Sequence, residues 1–206
     1  MSLDQALSQA KNLGVWLHKK TNGRNFPSKE TNVGGICLLQ HSLDVADATI
    51  ILLERDLPGP AWTLARPLLE SFVRGIWILQ CASDEQVENF RNGKCPPFPE
   101  LLKAMDDHDE AELHADWIRA QMKNKDIFHD FTHGGIEHIL RRITENEEKT
   151  VVEPNYQEHE LEYLVGLGTE VRIRVGCELF SLMEDSEAIR QLCEEASIFP
   201  RLAIKD

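Results

Sequence analysis

Ala61-Trp62-Thr63-Leu64-Ala65-Arg66-Pro67-Leu68-Leu69-Glu70-Ser71-Phe72-Val73-Arg74-Gly75-Ile76-Trp77-Ile78-Leu79 is apolar at nearly every position, yet it carries charge at Arg66, Glu70 and Arg74. Those three stand four residues apart, so on a helix they align along one side in the order plus, minus, plus. The stripe flanks a face made by Leu69, Phe72, Val73 and Ile76. A bare carboxylate at the border of such a face is costly unless paired, so Glu70 requires cationic partners.

Helical spacing extends on both sides. Leu3, Ala6, Leu7, Ala10, Leu13 and Leu17 predict a first amphipathic helix over 3–20 with Ser2 as its N-cap. Residues 21–32, with Asn-Gly and Pro27, read as a loop. A second helix over 33–55 is apolar through Ile36, Leu39, Leu43, Ala46, Ile50 and Leu53. Leu57-Pro58-Gly59-Pro60 joins it tightly to 61–79, which predicts an antiparallel core pair. Pro67 is expected to kink its helix.

A short helix follows over 84–91, then a proline-rich break over 93–99 and a helix from Pro99 through Met105. The acidic stretch 106–116 reads as a solvated face. A periodic element over 128–148 contains Gly134-Gly135, and 157–184 forms a long helix through Leu161, Leu164, Gly168, Val171, Val175, Leu179 and Leu182. The alternation in Val171-Arg172-Ile173-Arg174-Val175 is too short, inside that helical pattern, to argue for a sheet. The fold class is all-α, an up-and-down bundle of about five to seven helices in one domain over 1–206.

Bulk composition narrows the function. The chain has 206 residues and a net charge of -13, which opposes a general nucleic-acid or anionic-membrane surface because phosphate neutralisation needs a field of lysine and arginine. A local basic pocket is compatible with it. Cys37, Cys81, Cys95, Cys177 and Cys193 are scattered without a Cys-x-x-Cys pair, which suits reduced thiols and a cytoplasmic location. No signal peptide is read at the start, and the charges inside 61–79 oppose a membrane span. Gly166-x-Gly168 lacks a preceding strand and a later glycine, so no dinucleotide fingerprint is present. The apolar face of 157–184 either closes the core or forms a homodimer.

Two clusters carry chemistry. The Arg66/Glu70/Arg74 stripe is either a structural charge triad or one wall of a polar pocket, in which the arginine forks divide their donors between Glu70 and a ligand anion. A carboxylate between two cations is held charged, which favours an orienting role over a general acid. The second cluster is Phe128-His129-Asp130-Phe131-Thr132-His133-Gly134-Gly135-Ile136-Glu137-His138-Ile139-Leu140-Arg141-Arg142. On a continuous helix Phe128, Phe131, Gly135, Ile136, Ile139 and Ile143 point inward, and Arg142 falls among them as the first candidate partner of Glu70. His129, His133, Glu137 and Arg141 form a parallel polar stripe.

Thr132 stands where it could cap a helix starting at His133, leaving backbone donors for an anion. The candidate site is therefore His133 and Glu70 as catalytic groups, with Arg66, Arg74, Thr132, Arg141 and Arg142 binding an anionic small molecule or nucleotide. No cofactor is expected. As an alternative, His129-x-x-x-His133 with His41 from the second helix has the spacing of an open metal site.

The run from Arg66 to Trp77, then Phe131-Thr132-His133-Gly134-Gly135 and Arg141-Arg142, resembles the landmarks of an uncharacterised family of bacterial all-helical proteins. That resemblance covers 64–142, implies that the two clusters belong to one site, and carries no activity. The chain is distantly similar to HEPN domains, many of which act on RNA as toxins or defence effectors, although their arginine followed after four to six residues by histidine is absent. The spacing of His41, His129 and His133 is similar to that of DinB-type bundles, which implies a metal-dependent hydrolase or transferase.

Overall fold

The computed structural model describes residues 1–26, 30–145 and 149–197. It is all-α apart from one small hairpin. Three long helices form its frame: α1 (Leu3–Thr21), α2 (Glu30–Glu54) and α10 (Glu158–Leu182). Between them run α3 (Pro58–Thr63), α4 (Ala65–Ile76), α5 (Asp84–Arg91), α6 (Phe98–Asp106), α7 (Glu112–Gln121), α8 (Lys125–His133) and α9 (Ile136–Leu140). Strands β1 (Ile143–Glu145) and β2 (Thr150–Val152) pair antiparallel, and α11 (Ser186–Ala196) ends the described chain. Parts of the expected 21–32 loop and 128–148 helix, at 27–29 and 146–148, lie outside the described residues.

The helix expected over 61–79 is divided. Leu64 separates α3 from α4, so Pro67 stands in the first turn of α4, where its missing N–H costs no helical bond. Beyond Ile76 the helix widens into a π-helical turn, Trp77–Cys81. Its core role holds: Leu68, Leu69, Phe72, Val73 and Ile76 are all buried. α4 packs against α2, and the two come so close that a β-carbon on Gly75 would sit 2.7 Å from Leu39 Cδ2.

α2 is long and apolar enough between Val33 and Glu54 to cross a membrane, but half of that stretch is buried within the protein, against α1, α3, α4 and α10. The apolar face of α10 is likewise covered within the chain by α1, α2, α4 and α11. The acidic stretch keeps its carboxylates in solvent, yet it also leads into α7, which buries His114, Ala115 and Ile118.

The 128–148 element departs most from expectation. α8 stops at His133 because Gly134 takes a left-handed conformation, φ 73°, that favours glycine. A new short helix, α9, then runs in a different direction, and the chain turns into the hairpin. Phe128 and Phe131 are buried as the spacing predicts, but Ile136 and Ile139 are about half exposed. The inward phase calculated for a single continuous helix is lost at the glycine.

Candidate functional site

α4 and α8 lie side by side, and this contact brings the two clusters together. Within α4, Arg66 Nε donates to Glu70 Oε1 at 2.7 Å, and Arg74 Nη2 lies 3.1 Å from Glu70 Oε2. Each oxygen of one carboxylate thus receives one guanidinium, the use of four-residue spacing that the sequence predicts. Across the interface Arg66 Nη1 meets His129 Nδ1 at 2.8 Å and His133 Nε2 at 3.3 Å. The two imidazole centroids are 4.4 Å apart.

Arginine can only donate, so both facing ring nitrogens must be acceptors. Each imidazole is therefore neutral in this arrangement, with its proton on the far nitrogen. The two N–H bonds of Nη1 suffice for one each.

Two hollows meet at this arginine. One, about 260 Å³, is lined by Arg66, Pro67, Glu70, Ser71, Arg74, Thr132 and His133. The other, about 330 Å³, shares Arg66 and Glu70 with it and continues over Leu69, Phe98, Pro99, Met122 and Phe128, with Lys125, Asp126 and His129 at its polar side. The first is a polar lobe and the second an apolar one. Arg74 Nε is buried without a hydrogen-bond partner.

Several expected members stand elsewhere. Arg142 is exposed and does not reach Glu70, whose charge is met by Arg66 and Arg74 of its own helix. Arg141 is held by Glu137 at 3.4 Å and Glu160 at 2.5 Å, tying α9 to α10. Both arginines follow the break at Gly134, so the spacing that placed them beside α4 does not apply.

Thr132 lines the polar lobe but does not cap a helix start. Its hydroxyl donates back to Phe128 O at 2.7 Å, and His133 is the last residue of α8. The donors at the start of α9 are met from within the chain, since Asp130 Oδ2 accepts from Glu137 N at 2.8 Å. A β-carbon on Gly135 would collide with that carboxylate, so the close approach requires glycine. The anion-holding helix terminus is therefore filled by the protein's own carboxylate.

His41 is exposed on α2, and among the described residues no three His, Cys, Asp or Glu side chains converge as a metal site requires. Cys81 and Cys177 pack against the core, and burial pushes the Cys81 thiol up to about 11, which keeps it protonated at neutral pH.

A further polar network escaped the sequence reading. His114 Nε2 lies 2.9 Å from Glu178 Oε1, while Gln80 Nε2 donates to Glu178 Oε2 at 2.7 Å. Arg174 Nη1 meets His114 Nδ1 at 3.2 Å and its guanidinium lies 4.6 Å from the Trp117 ring centre. This network binds α7, α10 and the π-helical turn together with its ring nitrogens already used. A larger hollow of about 750 Å³ lies at the C-terminal end of α2, between Leu3, Leu7, Leu53, Tyr156 and Leu161, and its Lys11 is engaged by Glu54 at 2.9 Å. It contains no histidine.

Glu70 is 25% exposed in its side chain, less buried than the sequence suggested. Glu70→Gln is therefore expected to lower stability by only about 1 kcal/mol, the range of partly exposed ion pairs. Urea denaturation of the two proteins checks this, and a loss as large as that of a fully buried pair would contradict the observed exposure.

An all-α protein in which arginine and histidine side chains meet between two of its helices is the class these features define. The chain belongs to DUF6988, a family of unknown function whose model matches residues 39–190. No curated protein and no solved structure matches it.

Proposed function

We propose that this is a cytoplasmic protein that binds a small organic anion between α4 and α8, with Arg66 as the anchor. The observation that carries the reading is the position of Arg66 Nη1, bonded to His129 and His133 at the junction of the polar and apolar hollows. Arg66 and Arg74 exceed Glu70 by one positive charge, so the polar lobe favours an anionic group. The apolar lobe, floored by Leu69, Phe98 and Phe128, supplies contact for the body of the same molecule. The overall charge of -13 suits a small ligand reached through a local basic pocket better than an extended polyanion.

Isothermal titration with benzoate, benzenesulfonate and phenyl phosphate tests the reading. At least one should bind, and Arg66→Gln should weaken it by about tenfold to a hundredfold, the worth of one hydrogen bond to a charged group. Absence of binding by all three, or equal binding by the variant, would remove the proposal.

A second reading draws on the same contact. A guanidinium beside an imidazole, as in Arg66 and His133, is able to hold a phosphodiester and move a proton, the chemistry of an RNA-directed HEPN-like effector. Under that reading RNA is cut by the protein, and His133→Ala loses the cleavage with no change in melting temperature.

A further inference from the structure

The charge balance of the α4/α8 site goes beyond anion binding in general. With both imidazoles neutral, the polar lobe holds Arg66 and Arg74 against Glu70, a surplus of one positive charge. That matches a monoanion. The lobe also holds a proton acceptor, because His133 Nε2 turns its lone pair toward Arg66 Nη1. In this state Nε2 cannot donate to a ligand oxygen.

An oxyanion that takes the place of Nε2 on Arg66 Nη1 releases the imidazole from its only acceptor role there. A proton on Nε2 then gives His133 a donor toward the same anion and raises the surplus to two. The groups around His133 leave it as the variable member. From α4 these are Arg66, Glu70 and Arg74, already paired with one another. On α8 they are His129, bonded to the same Nη1, and Asp130, whose carboxylate caps α9. On α9, Glu137 is committed to Arg141, and His138 Nε2 is taken by Phe131 O at 2.7 Å. α3 presents no charged residue.

We infer that the site takes a phosphate monoester, binding the dianionic phosphoryl group in the polar lobe together with one proton that His133 accepts from solvent, and the organic body in the apolar lobe. This rests on the anion-binding reading above. A phosphoryl group supplies the second negative charge that a carboxylate or sulfonate lacks, and three oxygens for Arg66, Arg74 and His133.

The test is titration calorimetry of phenyl phosphate into the intact protein in two buffers of different ionisation enthalpy at the same neutral pH. The difference in apparent heat reports the protons taken up. Uptake close to one is expected for the native protein and close to zero for His133→Gln. Benzenesulfonate, with the same body and a single charge, should bind without uptake, and inorganic phosphate should bind at least tenfold more weakly than phenyl phosphate.

Binding of phenyl phosphate without uptake, or uptake that persists in His133→Gln, would overturn the inference while leaving anion binding in place. Inorganic phosphate binding as tightly as phenyl phosphate would overturn the monoester assignment. If neither phenyl phosphate nor benzenesulfonate binds, both this inference and the reading beneath it fall.

Discussion

Asp47→Ala is expected to reduce folding stability by about 3 kcal/mol or more, because it strands the most deeply buried charge among the described residues. Arg172, in the middle of α10, is 1% exposed. Its guanidinium bonds the Asp47 carboxylate of α2, and Nη1 donates to Ala10 O of α1 at 3.3 Å, so one side chain ties the three long helices together. His18 Nε2 lies 3.5 Å from the other carboxylate oxygen. Burial holds the Arg172 guanidinium below its ordinary value, and the Asp47 charge opposes that shift.

The two partners are not equivalent. Asp47 is 27% exposed and keeps water and His18 when Arg172 is removed, whereas Arg172 has nothing to replace Asp47. Arg172→Met should therefore cost clearly less than Asp47→Ala, and the double variant Asp47→Ala/Arg172→Met should recover much of the single loss. Denaturant midpoints of the four proteins measure this. Equal losses for the two single variants would show that the charge of Arg172 is not what the pair protects.

Trp62→Ala is expected to cost about 3–5 kcal/mol and to loosen the site as well. Trp62 projects from the short α3 into an aromatic cluster, with ring centres 5.2 Å from Phe131, 5.9 Å from Tyr163 and 6.3 Å from Phe128. Two of those rings belong to α8, so this contact presses α8 onto the rest of the core and sets the position of His129 and His133. The indole N–H is buried and has no hydrogen-bond partner. Trp62→Phe removes that unsatisfied donor along with some volume, and its cost should stay below about 1.5 kcal/mol. Thermal denaturation separates the two variants, and anion affinity should fall in Trp62→Ala but not in Trp62→Phe. A Trp62→Ala protein with native stability would show that α8 is held by other means.

How much of this was legible depends on the range of each interaction. The Glu70 pairing was readable because its partners are four residues away on the same helix, where geometry is fixed by backbone hydrogen bonds alone. The capped start of α1 was readable for the same reason, since Ser2 accepts from the backbone N–H of Gln5, three residues on. The meeting of Arg66 with His133 was proposed from two polar clusters, but spacing could not name His129 as its closer partner or supply the apolar floor from Phe98 and Met122. Arg142 failed as a partner because a single left-handed glycine changed the direction of everything after it. His114 and Arg174 lay in stretches that read as a solvated run and a strand-like alternation, and no local pattern announces a histidine that will face Glu178 across 64 residues.

By itself, the sequence determined an all-helical chain, an apolar helix in its core and the charged stripe along that helix, because apolar periodicity and four-residue pairing are properties of a single element. Tertiary structure alone decided which charges lie next to one another: Arg172 with Asp47, Arg66 with two imidazoles, Arg141 with Glu160. Those contacts form only after several helices have packed, and their partners are chosen by packing angles and helix ends that no short stretch of sequence encodes.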